Sequence, residues 1–274
     1  MSKKSGFGQE MTFWEHLDEL RGVLIRSIIA IVFCGIIAFI FKDILFDRIL
    51  LAPKEKTFIT YVILCKLSSL LSMPSLCIDP SSFQIININL AGQFISHMTI
   101  SLVAGLILAM PFVVWQFWRF IKPGLLEHET RHTRGAVALI SVLFMVGILF
   151  SYFIVVPLML NFLGGYRVSE LVNNQIALTS YIGSITMMTL LMGLLFELPV
   201  VVIFLTKIGI LTPAFLKKYR RHAIILILIV AGVITPSPDV FSQLLVALPL
   251  YALFEISLRI SGVIYQRRQE ELTS

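Results

Sequence analysis

Residues 13–41 read FWEHLDELRGVLIRSIIAIVFCGIIAFIF, nine amphipathic residues that lead directly into an apolar run of membrane length. On a helix at about 100° per residue, Phe13, Leu17, Leu20 and Leu24 fall within about 60° of one another, and Glu15, Asp18 and Glu19 land on the opposite side. Thr12 followed three residues later by Glu15 forms a capping box, which predicts that the helix starts there. Glu15 and Glu19 are like charges four apart, a spacing that weakens a helix by roughly 0.2–0.5 kcal/mol. Three carboxylates on one face at the mouth of a membrane segment suit something cationic. A merely solvated helix face is the alternative that these residues leave open.

The rest of the chain has the same character. Of 274 residues 57% are hydrophobic and 14% charged, and the mean hydropathy of +0.91 excludes an ordinary soluble domain. The length suits one multi-spanning helical unit, taken as a single domain over 1–274. The first apolar run is far longer than a signal-peptide core and is followed by further spans, so it is expected to remain as a span. A net charge of +6 in a membrane protein reports loop bias and not nucleic-acid binding. Three cysteines give no disulfide framework. Cys65 and Cys77 share a loop and pair only if that loop faces an oxidising side.

Six spans are expected, over 23–41, 94–118, 135–160, 182–205, 223–234 and 240–258, which makes the fold all-α and polytopic. The last two are short and joined by the tight Thr235-Pro236-Ser237-Pro238-Asp239 turn. The stretch 222–236 is too short to cross a core of ~30 Å comfortably. A long connection, 43–91, follows the first span; within it 58–71 is apolar but interrupted by Lys66. At about 14 residues that segment would reach only ~21 Å, so it reads as an interfacial or loop helix. Placing the amino terminus, the 119–134 and 207–221 loops and the tail on one side gathers sixteen basic residues there against six on the other. Both termini are therefore expected in the cytoplasm, with 43–91 outside.

Glu197 is the most informative single residue. It lies about ten residues from Lys207 in TLLMGLLFELPVVVIFL, hence ~15 Å deep. A carboxyl there costs ~2.5–3.5 kcal/mol on insertion scales and normally faces a cavity, a partner or a proton path. Pro199 frees backbone groups beside it. The alternative is a protonated carboxyl hydrogen-bonded to a neighbouring helix. Glu255, near the end of the last span, can reach the interface and carries less weight. His128-Glu129-Thr130-Arg131-His132 matches the zinc-protease pattern H-E-x-x-H. It sits in a short loop just after Pro123-Gly124, and His16, His97 and His222 offer no spacing for a third ligand. No metal, cofactor or catalytic role is expected, and no phosphate-binding G-x-x-x-x-G-K-[ST] loop is present.

With these pieces assembled, the sequence resembles the TatC family, the multi-spanning receptor subunits of the twin-arginine protein translocase. The likeness runs through HLDELR (16–21), LLAP (50–53), FWRFIKPGLLEHE (117–129), FELPV (196–200), TPSPDVFSQ (235–243) and ALPLYALFEI (247–256), in family order. The resemblance implies that Glu19 and Glu129 receive the arginine pair of a signal peptide, with Arg21, Phe120, Arg131 and Pro53 at further positions of importance to that role. It implies that Glu197 is the family's buried carboxyl, and that Asp239 and Gln243 lie at the contact with single-span partner subunits. The implied partners are twin-arginine signal peptides of folded precursors, single-span Tat subunits (TatA/TatB type) and the bilayer, in an oligomeric complex of the cell inner membrane driven by the proton-motive force. Two features depart from the pattern: the 58–71 insertion in the first external loop, and His132. The alternative from another class is a proton-coupled secondary transporter with Glu197 as its proton carrier, against which stands the absence of an internal repeat.

Overall fold

The computed structural model of the chain describes residues 13–73, 77–78, 83–121, 133–169, 171–237 and 239–273. Helix α1 is described over Phe13–Ile40, and the expected cap residue, Thr12, lies outside the described residues. Helix α3 (Gly92–Ile121) packs along it. The two backbones approach so closely that a Cβ on Gly105 would lie 2.5 Å from the backbone nitrogen of Gly35 and 2.7 Å from the carbonyl oxygen of Ile31. Ser27, Ala38, Ser96, Ser101 and Ala109 are buried on the same two helices. In lipid, where apolar side chains gain little by leaving their solvent, such small-residue packing is what holds helices together.

The third span is built in two pieces, α4 (Thr133–Phe150) and α5 (Val156–Gly165), joined by a wide turn over Ser151–Val155. Pro157 causes the irregularity. It lacks the N–H that would bond the carbonyl of Phe153 four residues earlier. The hydroxyl of Thr60 donates to that carbonyl instead, from helix α2 (Ile59–Leu71) of the first external loop. The fourth span is likewise broken, into α6 (Leu178–Leu195) and α7 (Leu198–Lys207), with Pro199 just past the break. Next come a short α8 (Pro213–Lys218), α9 (Arg220–Ile234) and α10 (Val240–Thr273).

Among the described residues five stretches are long and apolar enough to cross a membrane: His16–Ile40, Gly92–Ile121, Gly135–Gly165, Leu178–Lys207 and Val240–Gln266. The remaining expected span, 223–234, lies in α9, whose 15 residues reach only about 22 Å, as the sequence indicated. The chain is thus all-α and multi-pass. The starts of α1, α4 and α9 and the ends of α3, α7 and α10 define one end of the bundle, called the basic end below.

Two features differ from expectation, and a third resolves what the sequence leaves open. Helix α10 does not stop near residue 258 but continues to Thr273. Gly262 does not break the extension and no proline follows, and Ser261, fully buried, lets it pack on α7 through a 2.9 Å hydrogen bond with Thr206. The long 43–91 connection pairs with the segment between α5 and α6 through two short parallel strands, β1 (Gln84–Ile86) and β2 (Gln175–Ala177), where only connections are expected. Three residues each are too few for an alternating pattern to be legible. Finally, of the two states open to Cys65 and Cys77 the bonded one is found; Cys34 is a free thiol.

Candidate functional site

At the basic end, the first turns of α1 meet the last turn of α3. The imidazole of His16 stacks on the ring of Phe120, with centroids 4.3 Å apart and planes at 25°. Glu19 lies three residues past His16, hence on the adjoining surface of α1. Its side chain is half-buried, whereas Asp18 and Arg21 are exposed. Among the described residues no cation is paired with Glu19. Glu19, Arg21 and Phe120 are therefore brought to one end by the antiparallel packing of α1 and α3. Glu129 and Arg131, with the histidines of the apparent zinc pattern, lie outside the described residues, as does Thr12.

Sequence reasoning passed over two neighbours of this cluster. Gln116, one turn before Phe120, is 3% exposed, and among the described residues neither its Oε1 nor the buried indole N–H of Trp118 has a hydrogen-bond partner. A glutamine inside the apolar LAMPFVVWQFW run was the available signal, since polar groups at membrane depth are costly and rarely idle. His16 gave no signal of its own, because its stacking partner is 104 positions away.

Pro53 is the member of the expected set that lies elsewhere. It belongs to a single 3₁₀ turn, Ala52–Lys54, beyond the far end of α1, about 30 Å of helix away from Glu19. There it is buried, and its carbonyl accepts a hydrogen bond from Tyr61, whose hydroxyl is also within reach of the carbonyl of Pro157. Burial pushes the Tyr61 hydroxyl up to about 12, so it stays a donor at any ordinary pH. Tyr152 and Tyr181 donate in the same way to the carbonyls of Ile49 and Leu50. Pro53 is thus part of a cap tied by tyrosines at the end opposite Glu19.

Within the membrane, Glu197 occupies the break between α6 and α7, where its side chain makes no cap hydrogen bond. Both carboxyl oxygens are shielded and have no hydrogen-bond partner among the described residues. The break is held against α4 at Gly147, where a Cβ would come within 2.8 Å of the Met192 carbonyl oxygen and the Phe196 Cβ. On the same face of α6, Thr186 and Thr189 line an apolar hollow of about 440 Å³ between α1, α3, α4 and α6, whose other walls include Ile37, Ile100 and Ile148. The Thr189 hydroxyl is also unpartnered.

Asp239 and Gln243 close the turn before α10. The Asp239 Oδ1 accepts from the Ser242 N–H at 2.7 Å and its Oδ2 accepts from the Ser237 hydroxyl. Partial burial alone would raise the Asp239 carboxyl; the bonds from Ser237 and Ser242 outweigh it and hold the group below its ordinary value. Gln243 reaches across to donate to the Leu228 carbonyl of α9 at 2.8 Å. Both residues therefore fix the α9–α10 hairpin. Glu255 pairs with Arg220 at 2.6 Å, and Arg220 also donates to the Tyr251 hydroxyl, consistent with a carboxyl that reaches the interface. Among the described residues no group of histidine, cysteine and carboxylate side chains is placed to hold a metal ion.

Residues 15–249 match the family model described as TatC, Sec-independent protein translocase protein. A Sec-independent protein translocase protein TatC of Blattabacterium sp. subsp. Periplaneta americana is 38% identical over 94% of this chain and 98% of its own length. One of Aquifex aeolicus is 33% identical over 95% of this chain and 98% of its own. Among solved structures, a crystal structure of the twin arginine translocase receptor TatC in DDM superposes with a TM-score of 0.73 at 34% identity, covering 90% of this chain and all of that one.

Proposed function

The chain belongs to the TatC family of Sec-independent protein translocase proteins, and from that premise we propose that it receives the twin-arginine signal peptides of folded precursors at the basic end of the bundle. The observation that carries this reading is the half-buried Glu19 beside the His16–Phe120 stack, with no cation of the described residues paired to it. A guanidinium presents a planar fork that a carboxylate accepts through two hydrogen bonds, which an ammonium cannot reproduce. Two adjacent arginines need two such acceptors. Glu19 supplies one from α1 and Glu129 the other from the segment between α3 and α4. Arg21 and Arg131 flank those carboxylates and orient them. Phe120, packed on His16, keeps the end of α3 against α1 and so keeps the pocket together. Pro53 acts at a distance, through the cap that fixes the far end of α1.

In this reading the basic end faces the cytoplasm of the cell inner membrane and both termini lie there. The charge bias of the loops supports it, as does the Cys65–Cys77 bond, which needs an oxidising compartment on the opposite side. Glu197, sealed without a partner in the isolated chain, accepts a hydrogen bond from a polar group of a single-span Tat subunit, an arrangement that makes a buried carboxyl tolerable. Asp239 and Gln243 hold the α9–α10 hairpin in shape for the same class of partner. The role is recognition and recruitment, with transport driven by the proton-motive force in an oligomeric complex, and no catalytic step falls to this chain. The transporter alternative built on Glu197 is not favoured in a chain whose relatives are named as translocase proteins. Site-specific crosslinking of a twin-arginine precursor to α1 and to the end of α3 tests the proposal; a precursor that crosslinks to neither, while still being exported, contradicts it.

A further inference from the structure

Helix α2 buries one face and leaves an apolar face outward. Phe58, Tyr61 and Ser68 point inward and are at most 7% exposed. Phe58 packs on Phe153, Thr60 bonds the Phe153 carbonyl and Tyr61 the Pro157 carbonyl. Turned away from the protein are Ile59, Ile63, Leu67 and Leu70, exposed by 52%, 55%, 42% and 79%. On a helix these four fall within about 80° of one another. An aliphatic stripe of that kind on the solvent side of a loop helix marks a contact surface.

Three observations identify what covers it. The first is height. Phe153 stands 18 residues past Gly135 in the third span, about 27 Å along the helix, which is close to the ~30 Å thickness of the hydrocarbon core. Its contacts thus hold the start of α2 level with the boundary between acyl chains and headgroups. The second is continuity: Leu149 and Ile154 of the third span, 46% and 42% exposed, present aliphatic surface of the same kind beside the attachment point. The third is charge. Lys66 borders the stripe and lines a hollow beside Tyr61, and its stem is long enough to lie along apolar surface while the ammonium reaches toward headgroup phosphates.

We propose that α2 is an interfacial anchor: its Ile59–Ile63–Leu67–Leu70 face rests in the leaflet on the disulfide side of the membrane, with Lys66 reaching the headgroup phosphates. The Cys65–Cys77 bond ties the returning chain to this helix. The inference rests on the membrane-spanning reading of the bundle. A loop helix that lies in the leaflet fixes the depth and rotation of the cap that it joins to the third span.

The test uses the full chain in phosphatidylcholine vesicles. Tryptophan is introduced singly at Leu67 or Leu70, both outward-facing, and its added emission over the native tryptophans is followed with bromine-labelled lipid and with iodide. Val142→Trp on a span and Arg167→Trp in an external loop set the two limits. Leu67→Trp and Leu70→Trp are expected to be quenched by the brominated lipid, with iodide quenching about five-fold below that of Arg167→Trp. Free quenching by iodide would overturn the inference. So would protection from both agents, which assigns the face to a protein partner. Iodide access at Val142→Trp would instead overturn the membrane reading and the anchor with it.

Discussion

Replacing Gly105 by alanine adds one methyl group where α1 and α3 cross. Its nearest neighbours would be the Gly35 nitrogen at 2.5 Å, the Gly35 Cα at 2.6 Å and the Ile31 carbonyl oxygen at 2.7 Å, all backbone atoms that no rotamer can move. Tight contact between real side chains begins near 3.0–3.4 Å. The helices must therefore part by roughly 0.5–1 Å, a gap that forfeits a quarter to a half of each contact's attraction. Overpacking of this kind costs about 1–3 kcal/mol. The better helix propensity of alanine returns up to ~1 kcal/mol. With the full return, a net loss of up to about 2 kcal/mol follows. Gly35, on the facing helix, is the control. A Cβ there meets the Ser101 carbonyl oxygen at 3.4 Å, an ordinary contact, so Gly35→Ala should be neutral or slightly stabilising. Thermal unfolding of the two variants in detergent, followed by near-UV circular dichroism, reads the difference. Equal midpoints for Gly35→Ala and Gly105→Ala would refute the reasoning, because the two substitutions change propensity identically and differ only in what the methyl meets.

Three further outcomes are expected. Thr60→Val removes the donor to the carbonyl that Pro157 leaves free, and is expected to destabilise by about 1–3 kcal/mol, with Thr60→Ser close to wild type; equal stability of all three proteins in the same unfolding assay would remove Thr60 from that role. The Asp239 carboxyl lies below its ordinary value, so its ionised form is favoured by the fold. The stability it contributes is present at neutral pH and lost as pH falls through its folded value, and Asp239→Asn should flatten that acid limb of the pH–stability profile. Glu197→Ala should weaken crosslinking to single-span partner helices more than it weakens binding of a signal peptide; unchanged crosslinking would show that the buried carboxyl has another use.

The sequence revealed the long helices and the membrane class because both depend on local pattern: long apolar runs and the short 222–236 stretch. It revealed Glu197 for an energetic reason that holds wherever a carboxyl sits at membrane depth. Hidden from it were features set by partners far along the chain. Nothing in the third span announces that the carbonyl freed by Pro157 is satisfied by Thr60, 93 positions earlier than its acceptor Phe153. The β1–β2 pairing joins segments about 90 residues apart through strands of three residues. The extension of α10 depends on α7 presenting Thr206 to Ser261, which no periodicity encodes. In the site, motif likeness grouped Pro53 with Glu19, whereas the fold separates them by most of the length of α1. His16 and Gln116 went unnoticed because their weight comes from Phe120 and from burial.

Binding of two synthetic signal peptides, one with Arg-Arg and one with Lys-Lys, to the wild-type protein and to the Glu19→Gln/Glu129→Gln double variant tests the receptor account most directly. The wild type should bind the Arg-Arg peptide and hold the Lys-Lys peptide at least about ten-fold more weakly, the cost of losing a bidentate charge-assisted pair, and the double variant should lose that discrimination. Equal affinity of the wild type for both peptides, or full discrimination by the double variant, would contradict it.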